Sequence, residues 1–151
     1  MKLGLCQMPV TASKAENYET MRRYVRDAAA AGCDLVVLPE MWCCPYDNAA
    51  FADYAEPQGG RTWRLLRDTA RESGVWLVAG SVPERDGDAI YNTCYVFDPN
   101  GTQRAKHRKV HLFDIDVAGG QRFFESDTLS PGQQYTLVDT PFGKLGVAIC
   151  F

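Results

Sequence analysis

Three side chains with reactive groups lie at the ends of predicted strands of this chain: a carboxylate, an ammonium and a thiol. They are Glu40, Lys109 and Cys150, separated by 69 and 41 residues. A thiol becomes a good nucleophile only when it loses its proton, and a nearby carboxylate can accept that proton. A fixed cation can stabilise the charge that develops on a carbonyl oxygen under attack. Together, the thiol, the carboxylate and the ammonium are the groups needed for nucleophilic attack on an amide carbon.

The three residues define a complete reaction. Glu40 would accept the proton of the Cys150 thiol as the sulfur attacks the amide carbon. Lys109 and the backbone amide of Phe151 would hold the resulting oxyanion. Glu40 would then protonate the leaving nitrogen and later activate a water molecule, so that an acyl-thioester forms and is hydrolysed.

Each residue also has an ordinary interpretation when it is taken alone. Glu40 can be a solvent-exposed glutamate at the start of a loop. Lys109 lies in a basic run, which is more commonly a solvated strand end. Cys150 can be an inert buried thiol. We expect that inert role for the other cysteines: Cys6, Cys33, Cys43, Cys44 and Cys94.

The apolar pattern predicts the elements that position Glu40. Residues 2–8 and 34–39 are short apolar runs typical of buried strands, the second covered on both faces. Between them, apolar residues recur at helical spacing behind Ser13 and Glu16, which have the spacing of a capping box. This helix should end at Gly32. Strand, helix and strand form a unit with parallel strands, and Glu40 follows its second strand.

The same pattern continues and then changes. A helix is predicted over residues 62–73 and a third buried strand over 75–79. Further strands, joined by tight turns and one long loop, are predicted over residues 89–97, 101–108, 135–139 and 144–151. The fold class is therefore α/β, with a mixed sheet layered with helices.

Composition limits the function classes. The chain has 151 residues, enough for one domain, and its 46% apolar and 23% charged residues are typical of a globular protein. The net charge of -3 and the scattered basic residues argue against nucleic acid or a membrane surface as a partner. We expect no secretory signal, a reduced cytoplasmic location, and neither a metal site nor a cofactor.

Three strings of the sequence resemble the signature blocks of the nitrilase (carbon–nitrogen hydrolase) superfamily, in the same order and separation. They are residues 38–40, 107–114 and 146–151, and the resemblance extends over all 151 residues, including Tyr91-Asn92-Thr93. It implies Glu40, Lys109 and Cys150 as the catalytic set. It also implies a nitrilase-like αββα sandwich, of which this chain would be an incomplete portion with a mixed sheet and flanking helices.

Residues 109–116 and 124–132 look most like the omega-amidase branch of that superfamily. Members of this branch hydrolyse the terminal amide of small dicarboxylic acid monoamides without a cofactor. The resemblance implies that Glu125 helps to position Lys109 and substrate and that Tyr46 lines the pocket. The alternative for each is an ordinary packing or loop residue. It further implies a small-molecule amide as partner and a homo-oligomer at full length.

The last predicted strand runs to Phe151 with no turn after it. We therefore expect a carbon–nitrogen hydrolase domain over residues 1–151 that is truncated just after its nucleophile strand and inactive by itself. An N-carbamoyl amine hydrolase, a nitrile hydrolase or a glutaminase domain would use the same residues. Two other classes remain open: a non-catalytic truncated homologue, and a thiol redox protein that uses Cys150.

Overall fold

The computed structural model describes all 151 residues, Met1–Phe151. Its helices are α1 (Lys14–Ala30), α2 (Asn48–Tyr54) and α3 (Arg61–Ser73), with a short 3-10 turn at Glu125–Asp127. Its strands are β1 (Leu3–Leu5), β2 (Leu35–Val37), β3 (Trp76–Val78), β4 (Val82–Asp86), β5 (Ala89–Phe97), β6 (Gln103–Arg108), β7 (Asp114–Asp116), β8 (Arg122–Phe124), β9 (Thr136–Thr140) and β10 (Gly143–Val147).

A six-stranded mixed sheet forms the centre of the fold. Strands β1, β2 and β3 are parallel neighbours, which confirms the predicted strand–helix–strand units. Strand β5 runs antiparallel to β3, β4 and β6. Thr93 pairs with β4 on one side and β6 on the other, so β3 and β4 follow each other along the same edge of β5.

The two faces of this sheet are covered by different layers. On one face, the larger core joins Val36 and Leu77 to residues of α1 and α3. On the other face, Leu35 and Trp76 pack against Val138 of the β9–β10 hairpin. Because neighbouring residues of β2 enter different cores, this strand is covered on both sides as predicted. Helices, main sheet and hairpin thus form three layers, and the α/β fold class is confirmed.

Ser13 caps the start of helix α1, but the capping differs from the prediction. The Ser13 side chain accepts a hydrogen bond from the Glu16 amide at 3.3 Å. The reciprocal bond of a capping box is missing, since the Ser13 amide donates to the Thr11 hydroxyl at 3.1 Å. Glu16 also turns to Thr11, whose hydroxyl donates to the Glu16 carboxylate at 3.0 Å. The reciprocal half of the predicted capping box was therefore wrong, because Thr11 takes the place of each missing partner.

Several elements differ from those predicted. Strand β1 ends at Leu5 and β10 ends at Val147, so the predicted extensions to residues 8 and 151 were wrong. Helix α2 and strands β4, β7 and β8 were not predicted. Strand β4 has the polar sequence VPERD, and β7 and β8 are mostly exposed, so none of these strands has the apolar signature of a buried strand.

The cysteines follow the expectation only in part. Cys43, Cys44 and Cys94 are buried, whereas Cys6 and Cys33 are half-buried, and none of the six is in a disulfide. For Cys6 and Cys33 the expected full burial was wrong, because both lie towards the β1 edge of the sheet, where fewer elements cover them. None of the helices has the length and apolar character needed to span a bilayer.

Candidate active site

Glu40 is positioned by a close approach between two strand ends. Strand β2 leads through Pro39 to Glu40, and the amide of Ser81 donates to the Pro39 carbonyl at 3.1 Å. Between β3 and β4, Gly80 has a φ of 56°, and a Cβ at this position would lie 2.0 Å from the Pro39 oxygen. Only glycine fits here, because both the backbone angle and the contact exclude a side chain.

The residue after Glu40 holds an unusual backbone conformation. Met41 has a φ of 49°, which is rare for a residue with a side chain, and it is buried. Its amide donates to the Ser81 hydroxyl at 3.0 Å, and the next residue, Trp42, donates its indole N–H to the Ala79 carbonyl at 3.0 Å. These bonds fix the sharp turn that carries Glu40 out of the sheet. Strained turns of this kind concentrate at functional sites.

Lys109 follows β6 and is anchored by its backbone on both sides. Its amide donates to the Asn92 carbonyl at 2.9 Å, and its carbonyl accepts from the Gly132 amide at 2.7 Å. The side chain is fully buried, and its Nζ lies 2.8 Å from Oε1 of Glu40 and 2.9 Å from Oε2 of Glu125. The cation therefore bridges two carboxylates.

Glu125 and Tyr46 complete this cluster. Glu125 starts the 3-10 turn after β8, is completely buried, and accepts a hydrogen bond from the Phe113 amide at 2.6 Å. The Tyr46 hydroxyl donates to Oε1 of Glu125 and lies 3.4 Å from Nζ of Lys109. The Tyr46 ring packs edge-on against Phe51, with 5.2 Å between ring centroids. Tyr46 and Glu125, which are 79 positions apart in the sequence, thus both lie next to Lys109.

Two members of this cluster, Lys109 and Tyr46, have raised pKa values that keep both protonated at neutral pH. Burial lowers the pKa of Lys109, but hydrogen bonds to Glu40 and Glu125 outweigh it, and the net pKa lies above its ordinary value. Lys109 therefore stays an ammonium at neutral pH. Burial and the hydrogen bond to Glu125 raise the pKa of Tyr46, so Tyr46 remains a neutral phenol that donates.

Cys150 opens into the same cavity as Glu40. It lies beyond the end of β10, is exposed, and has a φ of 63°, in the left-handed region that is rare for a residue with a side chain. The shared cavity has a volume of about 160 Å³, and its apolar wall includes Val37, Val78 and Ile149. Glu40 is thus the residue that connects the cluster around Lys109 with the cavity of the thiol.

Phe151 lies at the rim of this arrangement. Its side chain is fully exposed and touches Phe113, with 6.4 Å between ring centroids. Its backbone N–H donates to no acceptor within the chain. The ring lies apart from the carboxylates around Lys109.

Asn92 belongs to the site although the motif positions did not assign it a role. It lies on β5, is completely buried, and its Nδ2 donates to Oε1 of Glu40 at 2.8 Å. The signal in the sequence was an amide side chain inside an otherwise apolar strand, since a buried polar group needs a partner. Nothing in the sequence indicates which partner that is.

Comparison with known proteins places this chain in a family. Residues 2–151 match the family model for carbon–nitrogen hydrolases. The chain belongs to this family. An omega-amidase of Danio rerio is 47% identical to this carbon–nitrogen hydrolase over 150 residues, which are 99% of the chain and 54% of the relative. A chloroplastic omega-amidase of Arabidopsis thaliana is 44% identical over 154 residues, covering 99% of the chain and 42% of the relative.

Solved structures agree with this assignment. Nit3 of Saccharomyces cerevisiae, a member of branch 10 of the nitrilase superfamily, is 36% identical with a TM-score of 0.86. That comparison covers 99% of this chain and 55% of Nit3. The carbon–nitrogen hydrolase chain thus has the nitrilase-superfamily fold and spans about half the length of the omega-amidase of Danio rerio.

Proposed function

We propose that the complete protein hydrolyses the terminal amide of a small dicarboxylic acid monoamide and releases ammonia. The observation that carries this proposal is the position of Glu40. Its carboxylate is 2.8 Å from Nζ of Lys109 and lines the same cavity as Cys150. Glu40 thus contacts a buried cation and also faces the cavity of the thiol, and amide cleavage through a thioester requires a base, a cation and a thiol.

In the first half of the reaction, the Cys150 thiol gives its proton to Glu40 while the sulfur bonds to the amide carbon. The carbonyl oxygen becomes an oxyanion that accepts hydrogen bonds from the backbone amide of Phe151 and from Lys109. The Lys109 ammonium has three protons, and its longest contact is the 3.4 Å one to Tyr46. Giving up that contact would free a proton for the oxyanion. Glu40 then protonates the nitrogen, the C–N bond breaks, and ammonia leaves.

In the second half, water enters where ammonia left. Glu40 accepts a proton from the water as its oxygen bonds to the thioester carbon, and a second oxyanion forms in the same place. The C–S bond breaks when this intermediate collapses, and the proton returns to Cys150. The product is the free acid, and the residues regain their starting protonation.

The substrate class is supported by the relatives. Several curated relatives that are 44–47% identical are omega-amidases, from both animals and a plant. A substrate with a second carboxylate also needs a cationic partner remote from the reacting carbon. Within residues 1–151, Lys109 is already held by two carboxylates and cannot fill that role as well.

Ammonia release from a panel of amides tests the proposal. The protein expressed from its complete reading frame should hydrolyse succinamate and glutaramate faster than the corresponding N-carbamoyl amines and nitriles. Cys150→Ser should abolish the activity, whereas Cys33→Ser, at a half-buried cysteine remote from the cavity, should retain it. A preference for the nitriles or carbamoyl compounds would overturn the substrate class. Unchanged activity in Cys150→Ser would overturn the mechanism.

Two further inferences concern the location of the protein in the cell and its oligomeric state. We infer a reducing, cytoplasmic location, because six unpaired cysteines in a chain with an aliphatic core are typical of cytosolic proteins. We also infer that the full-length protein forms homo-oligomers. Size-exclusion chromatography with light scattering on the complete protein would test this second inference, and a monomer at micromolar concentration would contradict it.

A further inference from the structure

We infer that Asn92 is a positioning residue that reserves one oxygen of Glu40, Oε2, for the proton of the Cys150 thiol. The inference rests on the proposed function, because it gives an atom to the base of that reaction. It concerns a residue that lies between Glu40 and Lys109 and contacts both.

The two oxygens of Glu40 have different surroundings. Oε1 accepts from Nζ of Lys109 at 2.8 Å and from Nδ2 of Asn92 at 2.8 Å. The Tyr46 hydroxyl lies 3.5 Å from the same oxygen, but it donates its single proton to Glu125. Oε2 accepts no hydrogen bond within the chain. Oε2 is therefore the only oxygen of Glu40 without a hydrogen bond, and an incoming proton can bind there without displacing a donor.

Asn92 is the only neutral donor on Glu40 and is held rigidly. Its side chain is completely buried within β5, and its backbone carbonyl accepts from the Lys109 amide at 2.9 Å. One residue thus fixes the side chain of the base and the backbone of the cation. Losing this donor would leave Glu40 tethered by Lys109 alone, and the carboxylate could then rotate about the single remaining bond.

The other end of the Asn92 amide gives independent support. Its Oδ1 is buried and has no hydrogen-bond partner. A buried carbonyl without a partner costs stability, so an apolar side chain would serve the packing of β5 better. The orientation is set by charge, because turning Oδ1 towards Glu40 would place two acceptors together. The Asn92 side chain therefore holds the Glu40 carboxylate and does little for the packing of the core.

The test compares variants of neighbouring residues on β5 in the protein expressed from its complete reading frame. Asn92→Leu removes the donor at similar volume, and Asn92→Ala removes it with a smaller side chain in case the leucine variant does not fold. Thr93→Val is the matched control, because Thr93 is also buried but donates to Glu84 at 2.7 Å, away from the cavity.

We expect kcat of both Asn92 variants to fall by about 10- to 100-fold, the effect of one hydrogen bond to a charged group, with little change in KM. The acidic limb of the pH profile should move to higher pH, because the carboxylate has lost a donor that favours its charged form. The other titratable groups around Glu40 are Lys109, Glu125, Tyr46 and Cys150, and all are unchanged in these variants. Thr93→Val should keep wild-type kcat and pH profile.

A second measurement needs no turnover. Alkylation of Cys150 by iodoacetamide near neutral pH should slow in both Asn92 variants and stay normal in Thr93→Val. Wild-type kcat, pH limb and alkylation rate in the Asn92 variants would overturn the inference, as would losses that merely follow the unfolded fraction in thermal melts. If the wild type hydrolyses no amide, the proposed function fails, and the alkylation rates still decide the role of Asn92.

Discussion

Oε2 of Glu125 lies 2.9 Å from Nζ of Lys109, and neither side chain is exposed to solvent. A buried ammonium is strongly unfavourable unless its charge is compensated at close range. Lys109 has Glu125 on one side and Glu40 on the other. Because Glu125 is also held by Phe113 and Tyr46, it is the fixed member of the pair. Glu40, which lines the cavity, is the member that the proposed reaction uses as its base.

The first prediction concerns this fixed ion pair. Glu125→Ala should lower the free energy of unfolding by about 3 kcal/mol or more, because it leaves a buried charge with only one partner. Urea unfolding of the complete protein measures the loss. The control is Glu19→Ala. It removes a surface ion pair in which the Glu19 carboxylate lies 4.0 Å from the Arg22 guanidinium, and it should cost less than about 1 kcal/mol. Equal losses in the two variants would show that Glu125 does not support Lys109.

The second prediction concerns acid stability and a buried carboxylate outside the site. Glu84 is buried and accepts hydrogen bonds from Arg108 at 2.9 Å and Lys106 at 2.9 Å. Burial raises the pKa of Glu84, but these bonds and one from Thr93 outweigh it and hold the pKa below its ordinary value of 4.5. A lowered pKa adds stability at pH values above 4.5, and this stability is lost as the pH falls through the lower value of the folded state.

The pH dependence of unfolding therefore distinguishes Glu84, with its buried ion pairs, from carboxylates on the surface. Glu84→Gln should destabilise the protein at neutral pH and flatten the loss of stability below pH 4.5. Glu72→Gln, at an exposed side chain 3.3 Å from Arg22, should cost less than about 1 kcal/mol at neutral pH. A Glu84→Gln profile as steep as that of the wild type would contradict the assignment.

The third prediction concerns the glycine behind Glu40. Gly80→Ala should disrupt the end of β2, because the added Cβ would lie 2.0 Å from the Pro39 carbonyl. The matched control is Gly87→Ala, since Gly87 has a similar φ of 60° but no neighbour within 4 Å. Gly87→Ala should cost about 1–2 kcal/mol for the left-handed backbone alone. Gly80→Ala should cost clearly more and lower kcat. Similar unfolding energies would mean that the close contact has little effect.

The positions of the catalytic candidates were accessible to sequence analysis for a simple reason. Glu40 and Cys150 each follow or end an apolar run that indicates a strand, and Lys109 directly follows a strand predicted from the turn before it. The parallel pairing of β2 and β3 also followed from such runs, because continuous apolar strands need cover on both faces. The burial predicted for β1 was wrong, because β1 is the edge strand and Leu3 and Leu5 are exposed. Patterns of this kind depend on neighbours in the chain, which the sequence contains.

The contacts that organise the site could not be read in this way. Asn92 binds Glu40 across 52 positions, and Tyr46 reaches Glu125 across 79. A polar residue in a strand indicates that a partner exists, but the partner is set by how the sheet and loops pack. Strand β4 was missed for a related reason: Glu84 is buried through ion pairs with β6, so a charged residue occupies a core position.

The intact mass of the protein during turnover tests the central claim most directly. The complete protein would be mixed with succinamate, quenched in acid within its turnover time, and digested for mapping. We predict an added succinyl group on the peptide that contains Cys150, and its absence in Cys150→Ser. Succinamate turnover with no adduct on the protein at any quench time, together with an active Cys150→Ser variant, would contradict a thioester mechanism at this residue.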